Sequence, residues 1–303
     1  MSVLINSKKY PELSKGWATP ISSILREEFV LQDDCATANI TLEDAVCHRT
    51  GIGGHDLSSL REIEGKQCMP RDVVLNLRHL PLFYKPRTTY EYSNAMYVAL
   101  SRVIEVVTGK SLADVLKEVI WEPLGMTSTF FDLQEALDHP QHFASGYIWD
   151  EQEKKYREMP KMTVTEESGA GAILSNVLDY AKWVQCLANE AQPFSIAVHK
   201  DIQTPRMISK ASPDMGFDCV LYGLGWERVS YKGYALYKHS GGMHAYGAYA
   251  FWMPEIKFGV VAFANTCGTS NAVQIVLAME LINNRLNVPT DISQLGTCCF
   301  NTE

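Results

Sequence analysis

Between residues 94 and 120 the apolar positions fall at helical spacing. Met96, Leu100, Val103, Ile104 and Val107 share one face of a segment that starts at Asn94, and Gly109 stops it. Ser111, with Asp114 completing a capping box, predicts a second helix. Its stripe is Leu112, Val115, Leu116, Val119 and Ile120, and Pro123 ends it. Asn176 and Asp179 open a third helix over 176–189 in the same way, and 271–286 (NAVQIVLAMELINNRL) predicts a fourth, apolar enough to pack on a sheet. Late in the chain the pattern changes. Short β-rich runs at 222–230 (YGLGWERVS), 234–239 (YALYKH), 247–253 (GAYAFWM) and 258–265 (FGVVAFAN) are separated by Gly, Pro or charged turns. Pro254, Glu255 and Ile256 read as a hairpin connection between the last two. Helices in the middle, strands late and a long helix at the end predict an α+β architecture, an antiparallel sheet flanked by helices. No repeat or low-complexity linker divides the chain.

Composition narrows the class. A chain of 303 residues can bury a full core, and 46% hydrophobic with 20% charged residues is neither disordered nor extreme. The net charge is −8 and no Lys/Arg run is present, which argues against a nucleic-acid or anionic-membrane partner. Apolar stretches such as 258–264 are far too short to span a bilayer. The opening MSVLINSKKYPEL has neither the basic start nor the long apolar core of a secretory signal, so a cytoplasmic location is expected. Eight cysteines (Cys35, Cys47, Cys68, Cys186, Cys219, Cys267, Cys298, Cys299) contain no C-x-x-C pair. Reduced, buried thiols are expected, with a Cys298–Cys299 redox role as the alternative.

Three places carry candidate chemistry. At Tyr92-Ser93-Asn94 a phenol can shuttle protons if a cation lowers its pKa, and an amide can hold a carbonyl or orient a lysine. The same three residues also read as a helix start, with Ser93 the cap and Tyr92 packed beneath it. At His239-Ser240-Gly241-Gly242 the glycines let a ligand approach an edge-strand backbone, whose N–H groups can bind an oxyanion; a plain strand exit is the other reading. His48-Arg49-Thr50-Gly51, followed by His55-Asp56, hints at metal but lacks H-x-E or H-E-x-x-H spacing. A glycine-rich loop organised by hydrogen bonds is the expectation there, with no metal and no cofactor.

Taken together and in order, these stretches resemble the serine β-lactamase and penicillin-binding-protein-like superfamily, in its class C β-lactamase and esterase branch and in fungal-type wording. The resembling segments are "ITLEDAVCHRTGIGGHD", "YEYSNAMYVALSRVIEVVTGKSLADVLKEVIWEPLGMTSTFF", "GAGAILSNVLDYAKWVQCL", "YGLGWE" and "HSGGMHAYGAYAFWMPE", within roughly residues 10–290. The resemblance implies a β-lactamase/transpeptidase-like fold with a helical lobe, one related domain over 1–290 and a C-terminal tail over 291–303. It also implies roles. Tyr92 would be general base and proton shuttle. Asn94 would hold the substrate carbonyl and a lysine. His239, Ser240 and Gly241 would form the strand wall that binds substrate, with the backbone after Gly241 contributing to an oxyanion hole. Members transfer acyl groups of esters and amides through an acyl-serine.

That chemistry takes its nucleophile from S-x-x-K, and none of these 303 residues forms a Ser three before a Lys. The resemblance places the motif about ten residues before Met1, with Met1–Ile5 as the tail of its helix, so the domain is expected to be N-terminally truncated. Absent strands and helix would leave apolar surface uncovered, at about 1.5–3 kcal/mol for each large side chain, and a partner chain or oligomer could cover it. The expected function is a serine hydrolase or transacylase acting on a small-molecule ester or amide in secondary metabolism, with a non-hydrolytic tailoring role in a small-molecule pathway as a further reading. The alternative is a catalytically deficient binding protein that keeps the cleft. Tyr90, Tyr92, Tyr246 and Trp252 suit an apolar or aromatic acyl compound, or are simply core.

Overall fold

The computed structural model describes residues 1–58, 62–63, 65–140, 142–212, 217, 219–266 and 269–289. The tail 291–303 and Cys267, Cys298 and Cys299 lie outside the described residues. Three long helices are α1 (Asn94–Thr108), α2 (Val177–Ala188) and α3 (Thr269–Leu286). The late β-rich runs form one six-stranded antiparallel sheet. Its strands are β1 (Met207–Lys210), β2 (Val220–Tyr222), β3 (Glu227–Tyr231), β4 (Tyr234–Met243), β5 (Tyr246–Met253) and β6 (Phe258–Ala264). Each pairs with its chain neighbour, so spatial order follows chain order. The architecture is the expected α+β one.

Two boundaries differ from expectation. The run at 222–230 is two strands, because Gly225 takes φ 79 and the Gly223 amide donates to the Trp226 carbonyl at 2.9 Å, turning the chain between β2 and β3. β4 continues through His239-Ser240-Gly241-Gly242 to Met243, because β5 pairs with it along that whole length.

Both faces of the sheet are covered. Val229, Leu236, Tyr249, Phe251 and Met253 pack on α3 through Ala278, Met279 and Ile282. Ala235, Tyr237, Ala250 and Trp252 lie on the opposite face, under Val184, Leu187 and Ala188 of α2. Successive strand side chains alternate between faces, so β5 reads as an unbroken apolar run. Trp252 stacks on its register partner Tyr237 at 4.2 Å between ring centroids.

The helical lobe is built around α1. Met96, Val98, Ala99, Leu100 and Val103 pack in one core with Ile21, Phe29, Ile40, Leu42, Ile52, Val74 and Leu77. Val98 lies off the predicted stripe because short helices cover α1 on more than one side. The helix that opens at Leu112 passes Pro123 and ends at Leu124, before Gly125. A wide turn over Lys117–Trp121 accommodates the proline's missing donor. Asn176 caps α2 as predicted, accepting from the Leu178 and Asp179 amides. Ser111 accepts from the Asp114 amide, but the Asp114 carboxylate takes the Ser111 hydroxyl rather than its amide, so the box is half formed.

On the outer face of α3, Val273, Leu277 and Leu281 recur at helical spacing and are 56%, 56% and 51% exposed. Cys47, Cys68 and Cys186 are buried thiols, whereas Cys35 and Cys219 are exposed, contrary to the expectation that all would be buried. Both sit on segments whose inward positions are filled by other apolar side chains, Ala36 and Val220. Among the described residues no helix is long and apolar enough to cross a membrane.

Candidate active site

The site forms where the helical lobe meets β2 and β4. The helix Leu42–Val46 starts with a reciprocal cap: Thr41 accepts from the Asp44 amide, and the Asp44 carboxylate accepts from the Thr41 amide. Just after its end His48 takes φ 57, a left-handed conformation that His tolerates better than most residues. The turn sends the imidazole inward, where it is fully buried. The His48 carbonyl accepts the Glu91 amide at 2.8 Å, and Nδ1 accepts the Ser93 amide at 3.1 Å. Tyr92 lies between those two amides, its ring centroid 4.2 Å from the imidazole. Tyr97 stacks on His48 at 5.1 Å, and Tyr90 and Tyr222 approach it edge-on at 5.8 and 5.0 Å.

β4 brings His239 to this nest, with its ring 6.4 Å from that of Tyr92 and 6.2 Å from that of Tyr222. His239 Nδ1 lies 2.6 Å from the Ser240 carbonyl, which only accepts, so Nδ1 carries the proton. Nε2 is left to accept the Tyr222 hydroxyl at 3.2 Å. β3 starts at Glu227 opposite Lys238, so from His239 onward β4 pairs with β5 alone and its other backbone edge is open among the described strands. A Cβ on Gly241 would meet only Ala248, at 3.7 Å, so its protein neighbours do not require a glycine there. Ser240 and Gly241 are both exposed.

The electrostatics favour neutral groups. Burial pulls His48 down to about 3, and His239 adds to the effect. Burial also lowers His239, against the opposing pull of Glu227 and the Ser240 carbonyl. Tyr92 is 39% exposed, yet burial of its hydroxyl, then Asp56, then Glu227 raise its pKa above that of an ordinary phenol. Among the described residues no cation opposes these effects, and Lys238 is bonded to Glu227. Tyr92 therefore keeps its proton at neutral pH and can donate it.

The structure brings Tyr92, Asn94 and His239 to one place, and Ser240 and Gly241 follow on the same strand. Asn94 is the first residue of α1, and its Nδ2 donates to Asp56 Oδ1 at 3.1 Å, which leaves Oδ1 as its acceptor. Ser93 stands at the cap position of α1 but makes no capping bond, contrary to the sequence reading. His48 pins its backbone, and its buried Oγ has no partner. The histidine–aspartate cluster does not converge. His48 is interior, His55 Nε2 sits at the Pro81 carbonyl, and Asp56 holds Asn94. Among the described residues no group of three His, Cys, Asp or Glu side chains is placed to hold a metal. Of the four aromatics, Tyr90 and Tyr92 line the nest. Trp252 is sheet core, and the Tyr246 hydroxyl donates to the Ala144 carbonyl. Sequence reasoning missed Tyr97 and Tyr222, which lie in a helix stripe and a strand and carry no local mark of the site.

Comparison with known proteins identifies the family. The Beta-lactamase family model matches residues 15–280. An unguisins hydrolase of Aspergillus violaceofuscus is 38% identical over 96% of this chain and 54% of its own length. The chain thus spans about half the length of that relative. Among solved structures, the octameric penicillin-binding protein homologue from Pyrococcus abyssi superimposes with a TM-score of 0.79 at 23% identity, over 95% of this chain and 63% of that one. A class C beta-lactamase mutant superimposes with a TM-score of 0.71 at 12% identity, over 93% of this chain and 78% of that one. The family model and the fold are thus matched over most of the chain, and it belongs to the Beta-lactamase family.

Proposed function

We propose that this chain carries the proton-shuttle and strand-wall side of an acyl hydrolase or transacylase site. The observation that carries the reading is the Tyr92 phenol brought beside the His239 imidazole, 6.4 Å between ring centroids. In this reading a serine hydroxyl attacks the substrate carbonyl, Tyr92 relays the serine's proton to the leaving group, and water then releases the acyl group. The 303 residues of the chain hold no Ser-x-x-Lys, so the serine and its lysine come from outside them. A lysine ammonium beside Tyr92 would lower a pKa that burial and Asp56 now raise. Asn94 presents Oδ1 to that ammonium, and half-buried His239 with the exposed Ser240 and Gly241 after it binds the substrate. The substrate is a small-molecule ester or amide. The similarity to an unguisins hydrolase supports a hydrolytic reaction, which this reading places in secondary metabolism. The stripe of Val273, Leu277 and Leu281 supports cover by a partner chain or oligomer, and in this reading the domain over residues 1–290 works in the cytoplasm together with whatever supplies the serine and lysine.

A second reading, a binding protein without hydrolysis, is favoured by the protonated phenol and the missing Ser-x-x-Lys. Labelling with a fluorophosphonate and a penicillin-type probe separates the two. The 303-residue chain is compared with a longer polypeptide read in frame from the same gene, and the adduct is mapped by mass spectrometry. A serine adduct in the longer form, weakened by Tyr92→Phe, supports the hydrolase. No adduct in either form, alongside measurable ligand binding, supports the binding protein.

A further inference from the structure

We infer that His48 is a positioning residue for Tyr92: as a neutral imidazole protonated on Nε2, it clamps the backbone on both sides of the phenol and supports its ring from beneath. Three contacts carry the inference. The His48 carbonyl takes the amide before Tyr92, from Glu91, at 2.8 Å. His48 Nδ1 takes the amide after it, from Ser93, at 3.1 Å. The imidazole lies 4.2 Å from the Tyr92 ring at an interplanar angle of 35°. One buried residue therefore fixes the backbone before the phenol, the backbone after it and the ring itself.

The proton must be on Nε2, because an imidazole nitrogen accepts an N–H only when it is unprotonated. Among the described residues Nε2 is buried without a partner, and none of them asks for that tautomer at Nε2. The groups facing His48 are the rings of Tyr90, Tyr92, Tyr97 and Tyr222, with His239 beyond them, and none of these is an anion that would stabilise imidazolium. Protonation would set one N–H against another at Ser93 and release the segment that holds Tyr92. The low pKa of His48 is consistent with a clamp that stays closed across the physiological range. The backbone also restricts what can replace it. At φ 57 asparagine is the natural substitute, and its Oδ1 falls near the place of Nδ1, whereas glutamine carries its amide one bond further out.

The inference rests on Tyr92 being the reactive phenol, but its test reads the clamp and not turnover, so failure of probe labelling and failure of the clamp are separate results. Nitrogen NMR of histidine-labelled protein should show His48 with Nδ1 unprotonated and Nε2 protonated, unchanged from about pH 8 to about pH 5. Amide hydrogen exchange at Glu91 and Ser93 should rise about tenfold or more in His48→Gln and His48→Ala, and stay within about threefold of wild type in His48→Asn. The Tyr92 ionisation, taken as the absorbance difference between each protein and its Tyr92→Phe counterpart, should shift toward an ordinary phenol in the first two variants and return in His48→Asn. A proton on Nδ1, a His48 titration near the ordinary imidazole value, or His48→Asn behaving as His48→Ala overturns the inference. The NMR measurement uses wild-type protein and decides the matter even if a variant fails to fold.

Discussion

Replacing Asp44 with alanine should destabilise the protein by about 3 kcal/mol. The carboxylate is fully buried. Oδ1 accepts Arg49 Nε at 2.7 Å and Arg87 Nε at 3.0 Å. Oδ2 accepts the Thr41 amide at 3.0 Å, the Thr41 hydroxyl at 2.8 Å and Arg87 Nη2 at 2.8 Å. Removing one side of a buried charge cluster costs about 3–5 kcal/mol, mostly because the remaining charge is stranded. In this cluster the stranding is partial. Arg87 is 51% exposed and can turn to water, and Arg49 keeps Glu43 at 2.6 Å. That places the loss at the low end of the range, with the carboxylate half of the capping box lost and the Thr41 cap itself retained. Urea unfolding followed by tryptophan fluorescence measures it, and a loss below about 1 kcal/mol at unchanged m-value would refute the reasoning.

The pH dependence gives this loss a sign. Burial alone pushes Asp44 up, but Arg87, the Thr41 amide and Arg49 outweigh it and hold the folded pKa below the ordinary 3.8. A group depressed on folding contributes fully above its unfolded pKa and loses that contribution as pH falls through the folded one. The stability gap between wild type and Asp44→Ala should therefore be constant above the ordinary carboxylate range and narrow below pH 3.8. A gap that widens on acidification would contradict the structure.

Two further outcomes follow from the structure. Asp56→Asn should lower the Tyr92 phenol pKa, because a nearby carboxylate disfavours phenolate; ultraviolet titration against Tyr92→Phe reads it, and an unchanged or raised value contradicts the assignment. Gly259→Ala should destabilise by about 1–3 kcal/mol, since the new Cβ would lie 2.3 Å from Val184 Cγ1 of α2 and 3.0 Å from the Phe251 carbonyl; thermal unfolding measures it, and a neutral result would mean that α2 is not seated on β6.

What the sequence disclosed was what local spacing can encode. The Asn176 cap, the α1 stripe and the β-rich run that became β5 are written within a few residues and formed as read. The split between β2 and β3 was missed because a lone φ-positive glycine inside an aromatic run looks like strand until its turn is seen. Cys35 and Cys219 were read as buried because a thiol carries no local mark of which way its segment faces.

The candidate site divides the same way. Tyr92, Asn94 and His239 were legible because their motifs are contiguous, whereas the groups that govern them arrive across long stretches of chain. His48 reaches Ser93 from 45 residues away, and Tyr222 meets His239 from the neighbouring turn of the sheet. Ser93 shows the cost of reading only the near sequence: its position predicts a cap, but a distant imidazole takes its amide and its hydroxyl turns inward unpaired. The phenol obeys the same rule. A tyrosine becomes a base only through its surroundings, and those of Tyr92 are burial, Asp56 and Glu227, all of which hold its proton on. The chemistry proposed for Tyr92 thus depends on one added positive charge, for which Asn94, fixed by Asp56, offers Oδ1 as an acceptor.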